Sequence, residues 1–129
     1  MNAPAPETEM VRPFLPTKDF ALSKRFYLAL GFELLLDSEV AIFRAGRGEF
    51  LLQARYVKDW AENTMLQLMV DDLDQWWRHI QSLDLPGQFG VATPKAPAMQ
   101  PWGLRVAYVI DPAGVLWHVA QRRPNTVHD

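Results

Sequence analysis

The stretch Leu15-Pro-Thr-Lys-Asp-Phe-Ala-Leu-Ser-Lys-Arg-Phe-Tyr-Leu-Ala-Leu-Gly-Phe32 decides the fold of this chain. A short apolar segment ends at Pro16. Asp19 is a good N-cap, because its carboxylate can accept from the free N–H groups of a first helical turn. From there Leu22, Phe26, Ala29 and Leu30 recur at three- and four-residue steps, which predicts a helix with one buried face. Gly31 is the stop, since helices commonly exit through a left-handed residue. A shorter echo follows at Met69-Val-Asp-Asp-Leu-Asp-Gln-Trp-Trp-Arg-His-Ile80. Asp72 caps that helix, Gln75 holds the capping-box position, and Leu73, Trp76, Trp77, Ile80 and Leu83 form its apolar stripe.

Strand signals surround both helices. Val11 to Pro16 reads as a strand whose prolines cannot donate to a central ladder, so it is an edge or meets another chain. Phe32 to Leu36, Val40 to Ala45 and Glu49 to Tyr56 follow, with Gly46-Arg-Gly48 as the turn between the last two. Lys58 to Asn63 reads as a polar connector to a strand at Met65 to Val70. After the second helix, Leu85-Pro-Gly87 reads as its end, and Gln88 to Pro101 as an irregular loop around a short strand. Leu104 to Ile110 and Val115 to Ala120 then form a hairpin across the turn Asp111-Pro-Ala-Gly114. The order is βαβββ twice, an α+β chain with an internal repeat that aligns Asp19-Phe20 with Asp72-Leu73. The expected layout is a disordered tail over 1–9, one domain over 10–122 with modules at about 10–57 and 64–122, and a second tail over 123–129.

Composition excludes several classes. The 129 residues suit one domain, and 49% hydrophobic with 22% charged residues is ordinary for a globular chain. The absence of cysteine removes disulfides and thiolate metal sites. A net charge of −2 with no Lys/Arg cluster gives no nucleic-acid face. The first nine residues lack the basic and apolar regions of a signal peptide, and the apolar runs are too short to span a bilayer. The expectation is a cytoplasmic protein with neither nucleic acid nor membrane as partner.

Three strings carry a family resemblance. They are Leu15-Pro-x-x-Asp-Phe-x-x-Ser-x-x-Phe-Tyr-x-x-Leu-Gly-Phe32, Val70-Asp-Asp-Leu73, and Trp102-Gly103 followed by Asp111-Pro-x-Gly-x-Leu-x-x-x-x-Gln121. Over about residues 11 to 121 the chain resembles the glyoxalase / bleomycin resistance / dioxygenase (vicinal oxygen chelate) superfamily, nearest to its bleomycin resistance branch. The resemblance implies two βαβββ modules curled into a cup-shaped mixed sheet with helices outside. It also implies a homodimer with ligand cavities in the cups or between subunits.

Enzymes of this superfamily hold a divalent ion with His and Glu on facing strands. Carried over position by position, those ligands fall on Arg12 (Pro13 with a one-residue slip), Gln53, Met65 and His118. An arginine repels a cation, a thioether is too soft, and an amide oxygen is weak. One histidine does not hold a catalytic ion. No metal and no cofactor are therefore expected, as in the bleomycin resistance branch.

Strand alternation extends this to a lining. Gln53 shares a face with Leu51 and Arg55, Met65 with Gln67 and Met69, and His118 with Leu116 and Ala120. The family register adds Val106 and Tyr108, and Trp102 stands at the mouth. The expected ligand-binding residues are Arg12, Gln53, Arg55, Met65, Gln67, Trp102, Tyr108 and His118, with no catalytic residue assigned. Bleomycin binders of the branch are acidic, whereas Arg12 and Arg55 favour a neutral or anionic, partly aromatic small molecule. The expected function is metal-independent binding or sequestration of such a ligand. The alternative is a divergent lyase or dioxygenase, metal-dependent or using His118 and Tyr108 as an acid–base pair.

Overall fold

The computed structural model describes residues 3–122, so the C-terminal tail expected over 123–129 lies outside the described residues. The elements run β1 (Phe14–Pro16), α1 (Phe20–Leu30), β2 (Glu33–Asp37), β3 (Val40–Ala45), β4 (Gly48–Gln53), α2 (Lys58–Glu62), β5 (Met65–Val70), α3 (Leu73–Ser82), α4 (Leu85–Phe89), β6 (Lys95–Met99), β7 (Arg105–Ile110) and β8 (Leu116–Gln121). They form two four-stranded mixed sheets, ordered β1-β4-β3-β2 and β5-β8-β7-β6. In each, the first strand of the module pairs parallel with the last, and the other pairs are antiparallel. Among the described residues no helix is long and apolar enough to cross a membrane.

The ends of α1 form as the sequence predicts. Asp19 accepts from the Leu22 N–H at 3.0 Å. At the other end Gly31 takes φ +99°, its N–H donates to Leu28 O, and Phe32 N–H donates to Tyr27 O. The two bonds make a Schellman exit, and Phe32 stacks on Tyr27 with ring centroids 6.0 Å apart, the apolar contact such exits favour. Gly31→Ala forces an L-residue into the left-handed region and should destabilise by about 1 kcal/mol. Urea denaturation checks this.

Several expectations need correction. The buried face of α1 is Ser23, Phe26, Tyr27 and Leu30, with the expected Phe26 and Leu30 inside and Leu22 and Ala29 only half-buried beside them. Tyr27 joins that face because polar partners make its buried hydroxyl acceptable. β1 begins only at Phe14, although Pro13 O still accepts from Leu51 N–H. β1 is an edge strand, as its prolines require. The polar connector holds the helix α2. Leu85-Pro-Gly87 starts a helix instead of ending one: Asp84, at φ +46°, caps Gly87 N–H. Pro86 fits because a first helical turn needs no N–H there. A Cβ at Gly87 would collide with the Asp84 carboxylate.

Both sheets turn their helix-covered faces, here called back faces, to one aromatic core. Trp117 of β8 lies 5.4 Å from Phe50 of β4, 5.6 Å from Phe32 and 5.8 Å from Tyr27, ring to ring. A buried polar network crosses this core. The Tyr27 hydroxyl donates to Asp111 at 2.6 Å and accepts from Trp117 Nε1–H at 2.9 Å. The second Asp111 oxygen accepts from the Ala113 and Val115 N–H groups, each at 2.9 Å. The Asp-Pro-x-Gly turn thus ties the second module to the first helix. Gln121, at the end of the last strand, accepts from Leu73 N–H at 2.9 Å and so caps α3. These motif residues do structural work.

Candidate functional site

The opposite, front faces of the two sheets differ. On the first sheet a row of alternating charge crosses the strands: Arg12 pairs with Glu49 at 2.8 Å and Arg44 with Glu33 at 2.6 Å. Next to it runs an apolar row, Phe14–Leu51–Ile42–Leu36, set by the register of β1, β4, β3 and β2. Gln53 follows, between Pro16 and Val40.

On the second sheet, register places Gln67, His118, Tyr108 and Lys95 in one transverse row. Met65, Leu116 and Ile110 form the next row. Alternation along β5 is clear: Met65, Gln67 and Met69 are exposed, while Leu66, Leu68 and Val70 turn inward. A cavity of about 480 Å³ opens on this face, with Met65, Thr93, Lys95, Tyr108, Leu116 and His118 among its walls. That volume is in the range of small-molecule sites.

His118 is the distinctive group. Its ring meets Tyr108 edge-on at 4.8 Å and lies 6.4 Å from Trp102. Its Nε2 is shut off from solvent and has no hydrogen-bond partner. Burial pushes the imidazole pKa below its ordinary value of ~6.5, so the ring is neutral at pH 7. An unpaired buried nitrogen is costly unless something else supplies its partner.

A second cavity, of about 490 Å³, lies on the seam between the modules, walled by Leu30, Phe32, Arg44, Trp76 and His79. Its charged and imidazole groups are already engaged. Arg44 is paired with Glu33, and His79 Nε2–H donates to Leu30 O at 2.8 Å. The front cavity, whose Lys95 has no ion-pair partner among the described residues, is the stronger candidate.

Among the residues expected at the site, Met65, Tyr108 and His118 come together in the front cavity, with Gln67 beside His118 and Trp102 against its ring. Arg12, Gln53 and Arg55 belong to the first module. Arg12 is already paired with a carboxylate. β4 ends at Gln53, so alternation cannot be carried on to Arg55. The Arg55 N–H turns back to Gln53 O, and its guanidinium lies over the Trp60 ring at 5.7 Å. Sequence reasoning left Lys95 out, because it read Gln88 to Pro101 as an irregular loop around a short strand without bounds; the residue starts β6 and lines the cavity.

Among the described residues no three His, Asp or Glu side chains cluster as a metal site. The donor set at the carried-over positions does not fit a divalent ion either: a paired guanidinium, an amide, a thioether and one imidazole.

A family model described as the Glyoxalase/Bleomycin resistance protein/Dioxygenase superfamily matches residues 9–119. The chain belongs to this superfamily. As a glyoxalase-superfamily member it is 29% identical over 119 residues to a bleomycin resistance protein of Klebsiella pneumoniae, covering 88% of this chain and 93% of that one. It is also similar to a bleomycin-binding protein solved in complex with bleomycin, with TM-score 0.76, 28% identity and coverage of 90% and 100% of the two chains. A bleomycin resistance determinant encoded on transposon Tn5 gives TM-score 0.74, 27% identity and coverage of 91% and 100%. The paired mixed sheets described above are the glyoxalase/bleomycin resistance fold.

Proposed function

We propose that this protein is a metal-independent small-molecule-binding protein of the drug-sequestering kind, acting as a homodimer. The front cavity carries this reading: apolar walls with a few polar groups, Lys95, Tyr108 and His118, are what a ligand site requires. The likeness to proteins whose names state bleomycin binding or resistance supports it. The dimer is supported by apolar side chains left open on both front faces, Phe14 and Leu36 on one, Met65 and Met69 on the other. Exposed apolar surface of this kind marks an interaction site.

A thermal-shift screen of bleomycin-type drugs, aromatic acids and flavonoid-type compounds tests the reading. A ligand at one hundred times its dissociation constant stabilises by about 2.7 kcal/mol, which a melting curve resolves. The expected result is a hit whose shift is lost in His118→Leu and does not depend on added Mn, Fe, Co, Ni or Zn. A hit that requires one bound ion per subunit would replace the reading with a metal-dependent one. The edge-on contact of Tyr108 with the neutral His118 favours a second reading, an acid–base enzyme. Conversion of a bound hit to product by wild type but not by His118→Ala would establish it.

A further inference from the structure

We propose that the front cavity takes an aromatic anion, with the Lys95 ammonium as its charge anchor and a ring of the edge-on Tyr108–His118 pair as its stacking surface. This deepens the binding reading above and rests on it. Lys95 lies on β6, the edge of the second sheet, opposite Tyr108. Directly opposed residues of an antiparallel pair share a face at about 5 Å between Cβ atoms. The ammonium therefore stands on the same side as the phenol ring and the next residue of the row, His118.

Lys95 shares its lack of an ion pair with other described cations such as Arg25 and Lys58, but among the described residues lining this cavity it is the one Lys or Arg. Arg12, Lys24, Arg44, Arg105 and Arg122 each sit beside a carboxylate. Lys95 has no ion-pair partner among the described residues. Nor does any described residue lining the cavity carry a carboxylate. An uncompensated cation at a concave, partly apolar wall focuses its field into the space it faces, which favours an anion and repels a cation. The arginines that suggested an anionic ligand from the sequence do not supply this preference, because Arg12 is neutralised by Glu49 and Arg55 lies over Trp60.

The rings complete the selection. Tyr108 and His118 meet nearly perpendicular, at an interplanar angle of 77°, so a planar ligand lies flat on one of the two rings and meets the other at its edge. An arene carrying a carboxylate or phenolate answers the ammonium and the ring surface together. The seam cavity provides no such selection, since its guanidinium is already matched by Glu33.

The test uses one ring with three charges: 2-naphthoate, 2-naphthamide and 2-naphthylmethylamine, titrated calorimetrically into the full-length protein. Naphthoate should bind about ten-fold tighter than the amide, the size of one charge-assisted contact, and the amine more weakly than the amide. High salt should shrink the naphthoate advantage. Lys95→Gln should abolish it and Lys95→Arg restore it. Lys95 is exposed on an edge strand, so both variants are expected to fold, and circular dichroism verifies this. Equal affinity for all three compounds, or an advantage that survives Lys95→Gln, overturns the inference and leaves the cavity as a ligand site. If none of the three binds while another class of compound does, the charge assignment falls and the binding reading stands. If nothing binds in this assay or in the drug screen, both fall.

Discussion

Tyr27→Phe is expected to lower the unfolding free energy by about 3 kcal/mol. The substitution keeps the ring and opens no cavity, so the loss is purely polar. Removing the hydroxyl deletes the 2.6 Å bond to Asp111 and leaves Trp117 Nε1–H without its acceptor. A hydrogen bond to a charged group is worth about 1.5–3 kcal/mol, and a stranded buried donor costs about 1–3. Asp111→Ala should cost at least as much, because the Ala113 and Val115 N–H groups lose their acceptor too. The double variant should cost less than the sum of the two by over ~0.5 kcal/mol, since both delete the same contact. Urea denaturation of the four proteins measures the cycle. Additive costs, or a Tyr27→Phe loss below about 1 kcal/mol, would sink this account of the inter-module link.

The same network fixes a pH dependence. Burial, reinforced by the Asp111 charge and the hydrogen bond to it, raises the Tyr27 phenol well above its ordinary value. A group whose folded pKa exceeds its unfolded one contributes stability that is complete below the unfolded value, about 10 here, and is lost as pH rises through the folded value. Wild type should therefore lose stability above pH ~10 more steeply than Tyr27→Phe. Asp111 is raised as well, by burial, against the lowering pull of Tyr27 and the turn N–H groups. The sign is the same but the window is acidic. Its contribution is complete below about 3.9 and declines as pH climbs through its raised value.

Local signals in the chain were legible where they agreed with the packing. Asp19 and Gly31 bound α1 at the expected residues, and β3 and β5 match their predicted spans. Phe26 and Leu30 of the buried face of α1 were legible, but Tyr27 was not, because it is inside only by virtue of Asp111 and Trp117, more than eighty residues away. Periodicity cannot register a hydroxyl that distant groups satisfy. The short helices α2 and α4 were missed for a related reason: five-residue turns carry little pattern, and Pro86 and Gly87 read as breakers. Alternation along the strands was legible, since Met65, Gln67, Tyr108 and His118 share one face as expected. It failed at Arg55, where the strand had ended, and was not applied at Lys95, which fell in the segment read as an irregular loop but starts β6.

The double substitution Phe14→Asp, Leu36→Asp should convert the proposed dimer to a folded monomer. Both side chains lie at the ends of the apolar row that crosses all four strands of the first sheet, and both are exposed in the single chain. The monomer thus loses little by the change. A subunit that covers this row buries each side chain against apolar surface, worth about 1.5–3 kcal/mol apiece when complete. A carboxylate placed there adds a desolvation penalty on top. With the row present in both subunits, the loss exceeds about 4 kcal/mol and dimer affinity should fall more than about a thousand-fold. Analytical ultracentrifugation reads the mass, and circular dichroism confirms the retained fold. Ligand binding then separates two geometries. If the front cavity is closed by the partner's first sheet, the monomer loses affinity for any hit from the thermal-shift screen. If each second sheet binds alone, affinity survives and the dimer serves stability. A double variant that remains dimeric refutes the assignment of this row to the subunit interface.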